Sequence, residues 1–330
     1  MTNSSEEKIL AYFMVPIYNV SVDKDIIGKD FNGYKIITSK DFHENYKKSL
    51  FVQDDMLEDI VEPFPGLVVK RPIALYLIIK EVYLYLDPRK QENNQIEEKE
   101  VFEFDLLITA LRLKSEGYIH VNKGYFLSKS RYSTSSLQIK TMLEAIDGYL
   151  RIGNKLFSFE YYKPTEASIL AALELKNKIY KAHTSIYLPL SYFNSYYSSS
   201  SLLDKIIKLT TIWEASLLND QHTEIQHRLI IRCSCFLKKD LRDILRMAYD
   251  IRSRVLHTGA FKDFDKLKKL LKNTTAHDWE AIFLFIKDYL EEITREILIK
   301  FLDVSASENK DLKTIAAEID EKVFEKFTEQ

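Results

Sequence analysis

Arginine and histidine are the side chains that handle phosphate chemistry unaided: a guanidinium grips phosphate oxygens in a fork, and an imidazole moves a proton near neutral pH. One segment of this chain concentrates both, Tyr249-Asp-Ile-Arg-Ser-Arg-Val-Leu-His-Thr-Gly259. On a helical wheel Leu241, Leu245, Ala248, Ile251, Val255 and Leu256 form one apolar arc, and Arg252 falls about 20° from Leu241, inside that arc. A guanidinium keeps its charge at any physiological pH, so burial there demands a carboxylate partner or a cleft. Glu214, next to Trp213, is the candidate carboxylate. The alternative is a cleft in which Arg252 grips a phosphate. His257 lies about 140° around the helix from Arg252. The two address one ligand only if the helix ends near Gly259, as the single glycine of this region suggests, or if two copies of the chain share a site. Tyr249, Ser253 and Arg254 flank the pair as supporting residues, with Glu214 as an orienting group.

By itself Arg-x4-His is a weak signal, which chance supplies about once in four chains of this composition. Its surroundings add to it. Residues 238–272 hold 11 Lys and Arg against 5 Asp, a local +6 in a chain of net charge −2. Such a run is either a solvated helix face or a field that steers an anionic polymer. The near-zero total excludes a uniformly basic nucleic-acid coat and a disordered acidic chain.

Other chemistries are missing from the sequence. It contains no G-x-x-x-x-G-K-[ST], no G-x-G-x-x-G and no H-E-x-x-H, so no cofactor is expected. His222 and His227 are five apart, off a common helical face, and Cys233 and Cys235 read as core residues, so no metal site is expected either. The start lacks a basic region followed by an apolar core, and Ile73–Leu86, the most apolar segment, is broken by Lys80 and Glu81. These features predict a soluble, cytoplasmic protein without membrane association.

The elements that must position Arg252 and His257 divide into two classes. Seven of the 8 glycines fall at or before Gly153, and none of the 7 prolines follows Pro189. The first half therefore carries the punctuation of sheets and turns, and the second should be helical. The expected fold is α+β: a β-rich N-terminal domain over 1–163, a helical bundle over 164–303 and an acidic, solvated tail helix over 304–330. Strands are expected over Ile9–Val22, from Gly33 and over Ala74–Leu86, a turn at Pro63-Phe-Pro-Gly, an exposed loop over Gln91–Glu100, a helix over Val101–Leu113 and a hairpin around Gly124. Helices are expected from Pro164 to about Lys181, then over Leu202–Leu218, Thr223–Leu237, Leu241 to about Leu256 and Thr275–Leu302, with a polar aromatic stretch over Ser191–Ser201.

An ordered series of blocks resembles the ApeA-like branch of the HEPN superfamily. The series runs Leu188-Pro-Leu with Phe193 and Tyr196, Leu203-Asp-Lys-Ile-Ile ending in Trp213-Glu-Ala-Ser-Leu-Leu, Glu224-Ile-Gln-His-Arg-Leu, and Tyr249-Asp-Ile-Arg-Ser-Arg-Val-Leu-His. Phe104-Asp-Leu-Leu-Ile-Thr-Ala-Leu-Arg-Leu before a hairpin fits the same pattern. The resemblance implies a metal-independent endoribonuclease, a homodimer of helical bundles in which Arg and His of both copies face one cleft. Arg252 would hold the scissile phosphate and His257 would serve as general acid or base while the RNA 2′-hydroxyl attacks, leaving a 2′,3′-cyclic phosphate. The position after the arginine, commonly Asn, Asp or His in active members, is Ser253 here. The implied setting is prokaryotic antiviral defence (abortive infection) or a toxin-like stress response, the N-terminal domain meeting a phage-derived trigger or a regulatory partner. Two other readings stand beside it: a non-catalytic HEPN dimer that binds RNA or protein as a scaffold, and an N-terminal domain whose Tyr and Phe residues bind a polymer.

Overall fold

A computed structural model of the chain describes residues 8–50, 75–85, 91–114, 117–121, 123–128, 136–138, 149–152, 155–158, 162–197, 199, 201–218, 225–258 and 279–328. The Pro63–Gly66 turn, Gly259 and the basic residues 262–272 lie outside them. The fold is α+β, an antiparallel sheet followed by helices. The chain divides into two compact units, residues 1–148 with 158–176, and residues 149–157 with 177–330.

The first unit is built on β1 (Lys8–Tyr18), β2 (Asp30–Phe31), β3 (Tyr34–Thr38), β4 (Tyr76–Tyr85), β5 (His120–Val121), β6 (Lys123–Ser128) and β7 (Ser136–Gln138). The order is β2-β3-β4-β1-β6-β7, with β5 also on β1 and every named pairing antiparallel. β1 is central and buried on both faces, so it reads as a near-continuous apolar run. Phe13 stacks on Phe126 at 4.5 Å and meets Phe104 edge-on at 5.6 Å. Met14, Ile37, Leu77, Ile79, Tyr125 and Leu127 form a second core with Phe42 and Leu50.

Two expectations fail in this unit. Gln91–Glu100 is not a loop but the start of a 24-residue helix, α1 (Gln91–Lys114). Its inward face begins with polar side chains that the sheet satisfies. Asn93 accepts from the Tyr85 N–H (2.7 Å) and donates to the Tyr85 carbonyl (3.1 Å), standing in for a strand partner at the end of β4. Glu100 pairs with Lys80, and Glu103 pairs with Lys176 at 2.8 Å. Asn93→Ala should cost about 1–3 kcal/mol, since it strands two backbone groups at a buried position, and equilibrium urea unfolding measures it.

Nor does the chain form a hairpin around Gly124. β5 and β6 run in one direction along β1, pairing as Ile17↔Val121 and then Met14↔Tyr125, so they do not fold back on each other. Pro16, which has no N–H to give a ladder, lies between the two pairings.

α2 (Glu166–Lys181) begins where Thr165 and Ser168 exchange side-chain and backbone hydrogen bonds at 2.9 and 3.1 Å, and its end belongs to the second unit. That unit adds a two-stranded sheet, β8 (Tyr149–Ile152) with β9 (Lys155–Ser158). It continues with α3 (Tyr187–Tyr196), α4 (Leu202–Leu217), α5 (Ile225–Leu237), α6 (Arg242–Thr258), α7 (Trp279–Glu308) and α8 (Leu312–Thr328). The polar aromatic stretch from Ser191 is thus helical for its first half. Ser, Asn and Tyr are indifferent helix formers, and burial of Leu190, Phe193 and Tyr196 overrides that preference.

The acidic end is not a solvated tail. α7 runs unbroken past Asp303, and α8 buries Leu312, Ile315, Ala316 and Ile319. Arg232 of α5 anchors α8: its Nε donates to Asp320 at 2.8 Å and its Nη1 to the Leu217 carbonyl that ends α4. Among the described residues no helix is long and apolar enough to cross a membrane.

Candidate functional site

The site is built on α6, whose apolar stripe Leu245, Ala248 and Ile251 is buried together with Leu241 just before it. Arg252 sits on that stripe, as the spacing requires. Its Nη2 donates to Glu214 Oε2 at 2.7 Å, with side chains 21% and 18% exposed. Glu214 is fixed in turn through its neighbour: the Trp213 indole N–H donates to Thr294 Oγ1 of α7 at 2.8 Å, and Thr294 donates to the Leu290 carbonyl. The Arg252 guanidinium carbon lies 5.6 Å from the centre of the Tyr249 ring. Arg252 Nε is buried and has no hydrogen-bond partner among the described residues. A buried guanidinium N–H without a partner is costly, and an oxygen ligand that reached it would recover that cost.

The ion pair is not at ease. Burial raises the Glu214 carboxyl above its ordinary value, and Arg252 opposes the shift without cancelling it. Arg252 therefore faces a carboxylate that burial makes readier to hold its proton.

His257 is placed elsewhere. α6 is helical through Thr258, the residue before Gly259, so the imidazole keeps its helical offset from Arg252. Five residues of unbroken helix leave it about 140° around and about 7.5 Å along the axis. His257 is exposed, as are Arg254 and Leu256 beside it, while Ser253 is half-buried. Within one chain Arg252 and His257 do not converge. A shared site between two copies of the chain does not require the two side chains to converge within one chain.

Cys233 is fully buried and burial pushes its thiol up, whereas Cys235 is half-buried. No three His, Cys, Asp or Glu side chains gather among the described residues.

The sequence reading missed a buried charged network. Glu291 of α7 accepts from Tyr196 and from Tyr197 (3.1 Å), and pairs with Arg295 and with Lys287 (3.6 Å). Lys205 of α4 is completely buried and donates to the Tyr196 carbonyl at 3.0 Å. Burial holds Lys205 well below the usual lysine range. In the sequence the only trace is Lys287, Glu291 and Arg295 at intervals of four, which is also the pattern of a solvated helix face.

No protein-family model matches this chain, and neither a curated protein nor a solved structure matches it.

Proposed function

We propose that the chain is a HEPN-type endoribonuclease that cuts RNA without a metal, as a homodimer in which Arg252 of one copy and His257 of the other act on one phosphate. The observation that carries the reading is the state of Arg252: on the core side of α6, paired with Glu214, with a buried Nε that has no hydrogen-bond partner among the described residues. In this mechanism Arg252 binds the scissile phosphate and neutralises charge that builds on its oxygens. Glu214 orients the guanidinium. His257 takes the proton from the 2′-hydroxyl or gives one to the departing 5′-oxygen, and the product end is a 2′,3′-cyclic phosphate. Prokaryotic antiviral defence or a toxin-like stress response is the setting, with the N-terminal unit receiving a phage-derived trigger or a regulatory partner. The protein works in the cytoplasm.

A second reading draws on the same geometry. A guanidinium paired with Glu214 and remote from His257 also suits a non-catalytic HEPN dimer that binds RNA or protein. Incubation with RNA in excess chelator separates the two. The nuclease yields fragments ending in cyclic phosphate, and Arg252→Ala and His257→Ala each stop cleavage without dissociating the dimer. Cleavage that persists in the double variant removes the assignment to this site, and a wild type that binds RNA without cutting it supports the scaffold.

A further inference from the structure

α5 and α6 enclose, with Val323 of α8, an open groove of about 710 Å³, within the range of about 300–1,000 Å³ typical of small-molecule sites. Ile230, Ile231 and Val323 give it apolar walls, with the Ser234 hydroxyl among them. The charged lining is lopsided: Lys238, Lys239, Arg242 and Arg246 against Asp240 alone among the described residues.

Two of the four cations are already engaged. Lys239 is held by both oxygens of Glu296 at 2.6 and 2.7 Å, and Arg242 by Asp240 at 2.7 and 2.9 Å. Lys238 and Arg246 are exposed and in no ion pair among the described residues. The excess is felt nearby: Lys300, which donates to the Phe236 carbonyl, is held below the usual lysine range, first by burial and then by Lys238 and Lys322. An anion in the groove would relieve that crowding. Arg246 lies about 120° around α6 from Arg252, so this is not the face of the ribonuclease site.

We propose that the groove binds a nucleotide phosphate, either free or at the end of a polynucleotide, with the phosphate between Lys238 and Arg246 and the base on Ile230, Ile231 and Val323. A flat, partly apolar body with a charged end matches apolar walls beside two uncommitted cations. Inorganic phosphate uses only the cations, and a fatty acyl chain leaves the Ser234 hydroxyl unused. The inference goes beyond the cleavage reaction and does not depend on it.

Calorimetric titration of the full-length protein with ATP, AMP and inorganic pyrophosphate tests it. ATP should bind, with pyrophosphate at least about tenfold weaker because it lacks the part that rests on the apolar walls. Lys238→Asn, which removes the charge and suits the positive φ of 56° there, and Arg246→Gln should each weaken ATP about tenfold or more. Lys181→Gln, at an exposed lysine away from the groove, should leave affinity unchanged. A 5′-phosphorylated oligoribonucleotide compared with its 5′-hydroxyl twin separates the two sources: a preference for the phosphorylated strand over ATP marks a chain end as ligand. Absence of binding by ATP, AMP and the phosphorylated strand overturns the proposal, as does affinity for ATP that both variants leave intact; equal binding of the two strands beside ATP binding that both variants weaken marks the free nucleotide as the ligand. Because no arm reads cleavage, the ribonuclease reading can fail while this one stands, and the reverse.

Discussion

Replacing Arg252 by alanine should lower the rate of RNA cleavage by about 10²–10³-fold or more, the loss that follows when a preorganised donor to a charged transition state is removed. Arg252→Lys should recover little of it, because an ammonium restores the charge but not the fork that spans two phosphate oxygens. The fold should survive, since the apolar stripe of α6 remains buried. What changes is Glu214. Burial already raises its carboxyl, and without Arg252 the opposing pull is lost, so it rises further. A carboxyl whose folded value lies above its unfolded one takes up a proton on folding. Its contribution is therefore present below the unfolded value and is lost as pH rises through the folded value. Arg252→Ala should accordingly lose more stability at pH 7 than at about pH 4.5. The double variant Arg252→Ala with Glu214→Gln should abolish that difference. Urea titrations at the two pH values give the answer, and a pH-independent loss would mean that Glu214 feels no such burial.

The second large effect is structural. Glu291→Ala should destabilise the second unit by about 3–5 kcal/mol, because it leaves Arg295 and Lys287 without their shared carboxylate and the Tyr196 and Tyr197 hydroxyls without their acceptor. Against a typical domain stability of about 5–15 kcal/mol, that brings the unit near the edge of folding. Glu291→Gln, which keeps the acceptor and loses the charge, should fall between. The pH dependence follows from two directions. Burial alone would raise Glu291, but Arg295, Lys287, Tyr196 and Lys205 together hold it below its ordinary value, so its contribution is present above the ordinary carboxylate range and is lost as pH falls through the lowered value. Lys205 is lowered by burial, so charging it costs the folded state, and stability increases as pH rises toward the ordinary lysine value. Both make the wild type less tolerant of acid. Lys205→Met removes the second contribution and should flatten the rise between neutral pH and about pH 10. A cost under about 1 kcal/mol for Glu291→Ala would show that the network is fully hydrated.

Particular residues show how much could be read from the sequence alone. β1 declared itself because burial on both faces leaves a long run of apolar, β-branched and aromatic residues, and β4 did so through apolar residues that alternate with exposed Glu81 and Tyr83 in its second half. The α4 and α6 helices did so through their apolar stripes, and the same arithmetic put Arg252 on the apolar face, where Glu214 beside Trp213 was the candidate carboxylate. Residues 91–100 concealed a helix because their buried positions are Asn93 and Glu100, polar groups satisfied by the Tyr85 backbone and by Lys80, which lie next to them only after folding. Asn122-Lys-Gly124 carries turn chemistry, and only the common direction of β5 and β6 along β1 shows that they form no hairpin with each other. α3 depends on rings that stack on one another, Phe193 on Tyr196 at 6.4 Å, and on a carboxylate 95 positions away. The place of His257 turned on where α6 ends. The glycine two residues later marked the expected stop, and the helix runs through Thr258, the residue before it, which keeps His257 on helical geometry.

That last point yields the most direct test of the central claim. If Arg252 and His257 act on one phosphate only across two copies, chains carrying Arg252→Ala and chains carrying His257→Ala should each be inactive alone. Co-expressed, half of the dimers are mixed, and each mixed dimer holds one site with both residues intact and one with neither. RNA cleavage should then return to about a quarter of the wild-type rate. No recovery, in a preparation shown to contain mixed dimers, would contradict the shared site and with it the assignment of Arg252 and His257 to one reaction.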